Sequence, residues 1–282
     1  MSQRLRQVWR ETRTAFEEER YTVGGRTVDL SGALAAMRAG TRLRLPEEVA
    51  RLTASEMRGA HATGFEVTKE STLEAVVRLA GAEDATGGAA GSGSVAALNF
   101  ASARNPGGGV ANGARAQEES LARSSALYAL LTACPEFYEH HRAAPSLLYT
   151  DRVIYSPSVP VFRDDRGGWL PEPVSAGFLT CAAPNRRMIE RNRTGEEARI
   201  PGVLAGRARG VLAVAADAGV DRLVLGAWGC GVFGNRPAEV ARAFAEPLHG
   251  EFEGVFAQVV FAVLDRDEQV RAPFREVFAG GR

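Results

Sequence analysis

The chain has 282 residues, and its 34 basic and 34 acidic side chains leave no net charge. That length can bury a substantial core in one large domain or two small ones, and 45% hydrophobic with 24% charged residues is ordinary for a globular protein. The zero balance argues against a protein held to nucleic acid by a global positive field.

Residues 2–20 read as a charged helix, with Leu5, Val8, Trp9, Thr12 and Phe16 in a weak 3–4 spacing. Tyr21-Thr22-Val23, Gly24-Gly25 and Arg26-Thr27-Val28 predict a tight hairpin, because two glycines suit a primed turn. Leu45-Pro46-Glu47-Glu48 opens a short helix with proline early, where it is tolerated. Residues 1–60 read as an extension packed on a catalytic domain of residues 61–282. Phe65–Thr68 is a short strand. Ser71 and Glu74 have the spacing of a capping box for a helix through Leu79. Gly81 to Ser94 is rich in Gly, Ala and Ser and reads as an exposed loop.

Further on, Val95–Phe100 is an apolar strand, 114–132 a helix and Val153–Tyr155 a strand. Residues 159–173 carry prolines and mixed charges and read as a long surface loop. Strands at 177–182, 223–226 and 258–264 alternate with helices at 201–218 and 237–249. Short apolar strands alternating with helices predict a three-layer α/β architecture, its sheet covered on both faces.

Cys134, Cys181 and Cys230 are widely spaced and form no C-x-x-C pair, so neither a disulfide framework nor a zinc site is indicated. A reducing cytoplasm fits this usage. The N-terminus lacks the apolar core of a signal peptide, and no run of about 18 apolar residues predicts a membrane span. His140-His141 is expected at a surface or helix end, since no further ligand cluster surrounds the pair. Tyr128, Tyr138 and Tyr155 read as core or interfacial aromatics; Trp228 could serve either the core or a site.

Two glycine loops carry the chemistry. Asn105-Pro106-Gly107-Gly108-Gly109 lies between a strand and a helix, the geometry in which backbone N–H groups hold an anion. Gln117-Glu118-Glu119 follows at once, although glutamates near a helix start also occur for purely structural reasons. The second loop, Gly226 to Asn235, follows a strand directly. Its glycines at 226, 229, 231 and 234 permit a nest of N–H groups around an anion. Phe233 either lies against a sugar or base, or plugs the core. Two such loops in one domain point to a diphosphate or nucleotide ligand.

Gly-Gly-Gly-x7-Gln-Glu-Glu at 107–119 resembles the signature of poly(ADP-ribose) glycohydrolases, and the Gly226–Asn235 loop looks like the diphosphate loop of macrodomains. The run from Leu98 to Gly107 resembles the short microbial branch of that family, and Cys181–Asn185 and Val263–Arg266 extend the likeness over most of the chain from Val67 to Asp265. The resemblance implies a macrodomain-like α/β/α sandwich with a mixed sheet and an N-terminal helical extension. It implies hydrolysis of the ribose–ribose O-glycosidic bonds of poly(ADP-ribose), with no cofactor and no metal. The partners implied are poly(ADP-ribose), ADP-ribose and poly(ADP-ribosyl)ated proteins, without membrane or direct DNA binding. Glu119 would be the catalytic carboxylate and Glu118 the anchor for substrate hydroxyls. Asn105, Gly107, Gly108, Gly109 and Gln117, with Gly229, Cys230, Gly231, Val232, Phe233 and Gly234, would bind substrate. Phe233 would pack on the terminal ribose. Adjacent residues on a helix do not face each other, so the two glutamates do not flank one bond as acid and nucleophile; a single acid/base fits better. The alternatives are a reader that binds ADP-ribose without cleaving it and a hydrolase of mono-ADP-ribose on proteins. Neither needs the Gln-Glu-Glu triplet.

Overall fold

The computed structural model describes residues 2–53, 59–85, 94–265 and 267–278. Ser2 caps α1 (Gln3–Glu17), its Oγ accepting from the Leu5 N–H at 3.4 Å. Gly24 and Gly25, at φ +56° and +78°, turn β1 (Arg20–Val23) back on β2 (Arg26–Asp29). Next comes α2 (Ser31–Gly40), where the sequence reading has no element. It buries only Leu34 and Met37, too few positions for a periodic signal. β3 (Arg42–Arg44) and α3 (Pro46–Arg51) follow, and Glu48 Oε2 accepts from the Leu45 N–H at 2.6 Å.

β4 (Gly64–Thr68) leads into α4 (Thr72–Ala85) through the expected capping box. The Glu74 N–H donates to Ser71 Oγ at 2.9 Å, and the Ser71 N–H donates to Glu74 Oε2 at 2.8 Å. The helix outruns its expected end at Leu79 and takes in residues 81–85 of the loop read at 81–94; residues 86–93 lie outside the described residues. β5 (Ser94–Phe100) enters the sheet. A single 3₁₀ turn, Val110–Asn112, precedes α5 (Gln117–Ser124) and α6 (Leu127–Thr132). The one helix expected over 114–132 is therefore broken. Ser125 breaks it: its Oγ donates to the Leu121 carbonyl at 2.7 Å and accepts from the Leu127 N–H at 3.2 Å, ending one helix and starting the next.

After α7 (Pro135–Ala143), β6 (Val153–Arg163) and β7 (Trp169–Cys181) form one long antiparallel hairpin. The surface loop expected at 159–173 is thus corrected to strand on both sides of a tight turn. The prolines that suggested a loop are accommodated because each lies outside the second pairing of its strand: β3 pairs only with residues 153–155 of β6, short of Pro160, and β5 pairs only with residues 177–181 of β7, past Pro171 and Pro173. The register also slips between Ser156 and Val159, spanning Pro157. The remaining elements are α8 (Arg186–Asn192), α9 (Ile200–Asp217), β8 (Val220–Leu225), α10 (Pro237–Leu248), β9 (Gln258–Ala262) and α11 (Glu268–Phe278). The sequence reading has neither α7, α8 nor α11.

Seven strands make the main sheet in the order β3-β6-β7-β5-β8-β9-β4. β7, β5, β8, β9 and β4 run parallel, and β6 and β3 add an antiparallel margin. Alternate residues of β5 feed two cores: Ala96 and Leu98 face α3, α8, α9, α10 and α11, while Val95 and Ala97 face α1, α2 and α4 to α7. This is a sheet covered on both faces, as its continuous apolar strands predict. Among the described residues no helix is long and apolar enough to cross a membrane. The carboxyl ends of the parallel strands open together on one edge, where open α/β sheets hold ligands.

Candidate active site

A cavity of about 1230 Å³ lies at that edge, and residues from both glycine loops and the Gln-Glu-Glu triplet line it. Glu118 and Glu119 sit in the first turn of α5, only 3% and 8% exposed. Gln117 holds this turn in place. Its Oε1 accepts from the Phe100 N–H at 2.8 Å, and its Nε2 donates to the Leu98 carbonyl at 2.7 Å and Thr72 Oγ1 at 3.1 Å. Gln117 reaches the cavity wall, but its amide anchors α5 to β5, a role its expected assignment to substrate binding did not include.

Glu118 Oε2 accepts from the Ser102 N–H at 2.7 Å, and Asn99 Nδ2 lies 3.4 Å from Oε1. Burial, helped by the neighbouring charge of Glu119, pushes the Glu118 carboxyl up to about 8, so it stays protonated at neutral pH. Glu119 Oε1 accepts from the Gly109 N–H at 2.8 Å, while its Oε2 is buried without a partner. The first glycine loop is shaped around these carboxylates. Gly108, at φ +57°, has no room for a side chain: a methyl there would overlap Glu119 Oε1. A methyl on Gly107 would come within 2.7 Å of the Tyr128 ring. Trp9 of α1 meets that ring edge-on at 4.6 Å between centroids. Thr12 of α1 donates to the Arg123 carbonyl on α5 at 2.6 Å, so the N-terminal helix braces both the glycine loop and the helix carrying the glutamates.

The second loop has a different character. Asn235 is 2% exposed and secures the base, with Nδ2 donating to the Pro184 carbonyl at 2.9 Å and its N–H to the Gly229 carbonyl at 3.0 Å. The Trp228 indole donates to the Cys181 carbonyl at 3.2 Å, which assigns Trp228 to the core. Between these anchors, the N–H groups of Gly231, Val232 and Phe233 have no protein acceptor among the described residues. A side chain at Gly231 would meet nothing within 4 Å, and Val232 is 67% exposed. Phe233 is half-buried, packed on one core while lining the cavity. Asn105 reaches the cavity from the opposite loop.

Burial pushes the Cys181 and Cys230 thiols up to about 12 and raises that of Cys134. Among the described residues, no group of three or more His, Cys, Asp or Glu is placed to hold a metal. His140 and His141 both lie in the last turn of α7, the expected helix-end placement, with His140 exposed; His141 is fully buried, and burial lowers it to about 4. Sequence reasoning missed Asn99, Ser102 and Asp165. Only Asn99 carried a signal, as the one amide inside an apolar strand.

The microbial-type PARG catalytic domain model matches residues 10–164. No curated protein is similar to the chain. Among solved structures, poly(ADP-ribose) glycohydrolase from Thermomonospora curvata is similar at 50% identity over 99% of both chains, with a TM-score of 0.86. The same protein bound to the inhibitor ADP-HPD matches with a TM-score of 0.85, again at 50% identity over 99% of both chains. The Deinococcus radiodurans glycohydrolase in complex with ADP-ribose is 46% identical, over 89% of this chain and 98% of that one, with a TM-score of 0.80. A family model spanning more than half the chain, and this identity over nearly its whole length, establish that the chain belongs to the microbial-type poly(ADP-ribose) glycohydrolases.

Proposed function

We propose that Glu119 alone performs the acid and base steps in the hydrolysis of the ribose–ribose O-glycosidic bond, with ADP-ribose released. The carrying observation is the asymmetry of its carboxyl: Oε1 is fixed by the Gly109 N–H, and Oε2 has no partner. In the forward step the protonated Glu119 gives its proton to the leaving 2′-oxygen as the C1″–O bond breaks. The ribose becomes oxocarbenium-like, and water attacks it while the Glu119 carboxylate takes the water's proton. Glu118, neutral at pH 7, holds substrate hydroxyls and sets no second negative charge against the Glu119 carboxylate formed when the proton leaves. The unpaired N–H groups of Gly231 to Phe233 support a diphosphate there. The half-buried ring of Phe233 supports contact with the terminal ribose. In this reading the substrate is polymer on poly(ADP-ribosyl)ated proteins, and the free cysteines fit a cytoplasmic setting.

Glu119→Gln keeps size and hydrogen bonding but cannot exchange the proton. Release of ADP-ribose from purified poly(ADP-ribose) is expected to fall about 10²–10⁴-fold, with ADP-ribose affinity held within a few-fold. Release at the wild-type rate would refute this assignment.

A further inference from the structure

Among the described residues Tyr149 is one of four non-glycine residues with a left-handed backbone, at φ +59°, and its ring meets that of Phe233, which lines the cavity. A bulky side chain adopts that conformation only where its surroundings over-determine it, and such residues gather at functional sites. Here the surroundings can be named. His141, buried and neutral, accepts the Thr150 N–H on Nε2 at 3.2 Å and contacts Thr150 Oγ1 at 2.8 Å. On the other side Arg207, 2% exposed, donates to the Leu148 carbonyl at 2.9 Å and to Asp151 Oδ1 at 2.9 Å. The two buried groups grip the residues on either side of Tyr149, and the reaction uses neither. What this clamp presents is the Tyr149 ring, 5.6 Å from His141 and 6.2 Å from Phe233 between centroids. The backbone of Phe233 is held separately, its carbonyl accepting from the Arg187 N–H at 2.9 Å.

We propose that Tyr149 is a positioning residue that sets the ring of Phe233 against the terminal ribose, and that His141 and Arg207 hold Tyr149 in its left-handed conformation for that purpose. The inference rests on the reading of Phe233 as a ribose contact. Tyr149 touches no reacting atom, so its loss acts on alignment of the sugar more than on grip.

The test is a double-mutant cycle between Tyr149 and Phe233. Tyr149→Asn suits it, because asparagine tolerates positive φ while removing the ring; Tyr149→Phe, which keeps the ring, is the rescue. Steady-state kinetics on poly(ADP-ribose) and ADP-ribose affinity are measured on folded protein. In Tyr149→Asn, kcat is expected to fall about tenfold with affinity within a few-fold, and Tyr149→Phe is expected to restore kcat to within about threefold of wild type. Tyr149→Asn should cost little more once Phe233→Ala is present, because both act through one ring. Normal kcat in Tyr149→Asn, or fully additive losses in the cycle, would overturn the proposal. If Tyr149→Asn does not fold, Tyr149→Gly, which takes a positive φ freely and also lacks the ring, enters the cycle under the same criteria. Should Phe233→Ala itself turn over normally, the ribose-contact reading fails first, and the positioning role falls with it.

Discussion

The two glycine loops look alike in sequence, and both hold glycines pressed against the protein itself, Gly226 and Gly229 in the second among them, but they differ at Gly231. In the first, the space a side chain would occupy is already filled by the protein: Gly108 lies against Glu119 and Gly107 against Tyr128. In the second, Gly231 faces open space and is followed by N–H groups that no acceptor among the described residues satisfies. The first loop is glycine-rich so that the backbone can close on the enzyme's own carboxylates. The second is glycine-rich at Gly231 so that something else can approach. A glycine motif therefore names a close approach, and only the structure says what approaches.

Substitutions at the two loops should separate these roles. Gly108→Ala strains a positive φ and drives a methyl into Glu119, so kcat is expected to fall by about 10²-fold or more, together with a loss in melting temperature. Unchanged turnover and stability in that variant would remove the distinction between the loops. Gly231→Val fills space left for ligand, so ADP-ribose affinity, measured by calorimetry, is expected to drop about tenfold, or about 1.4 kcal/mol. Its melting temperature should barely move, because beyond the two adjacent residues nothing in the described protein lies within 4 Å of the new Cβ. A destabilised Gly231→Val with normal affinity would reverse the assignment.

The gentlest probe concerns the carboxyl beneath Gly108. The Glu118 pKa is raised on folding from its ordinary 4.5 to about 8, so the folded state binds this proton more tightly than the unfolded one. The resulting stability is fully present below pH 4.5 and is lost as pH rises through 8. Denaturant titrations across that window should show the wild type losing stability relative to Glu118→Gln. Parallel curves would mean that the carboxyl is not held neutral.

Much of this was legible from residues alone, for physical reasons that differ by element. Capping at Ser71 and the glycine turn at 24–25 are local, and local rules found them. The apolar strands 95–100 and 258–262 gave the covered sheet because burial on both faces leaves no alternation to misread. The break at Ser125 was hidden because its local hydroxyl bonds are joined by a tertiary one: the Ala126 N–H donates to the Pro160 carbonyl of β6 at 3.1 Å. The strand nature of 159–173 was hidden in the same way, since prolines are tolerated only where a neighbouring strand is missing. At the site, the spacing of Gly-Gly-Gly and Gln-Glu-Glu brought the right groups together. The inward turn of Gln117, the neutral state of Glu118 and the burial of His141 depend on partners 17 or more residues away or on burial itself, and periodicity carries no trace of either.

The three cysteines have a practical consequence. The thiolate is the species that attacks a maleimide, and burial disfavours it at all three cysteines, raising Cys134 and pushing Cys181 and Cys230 up to about 12. The folded enzyme is therefore close to silent toward maleimide dyes at pH 7 without any cysteine being removed. Val232→Cys, at a position 67% exposed on the cavity rim, would then be the single bright handle. A fluorophore there would report each polymer end as it arrives, turning the exposed lip of the second glycine loop into an optical sensor for ADP-ribose chains.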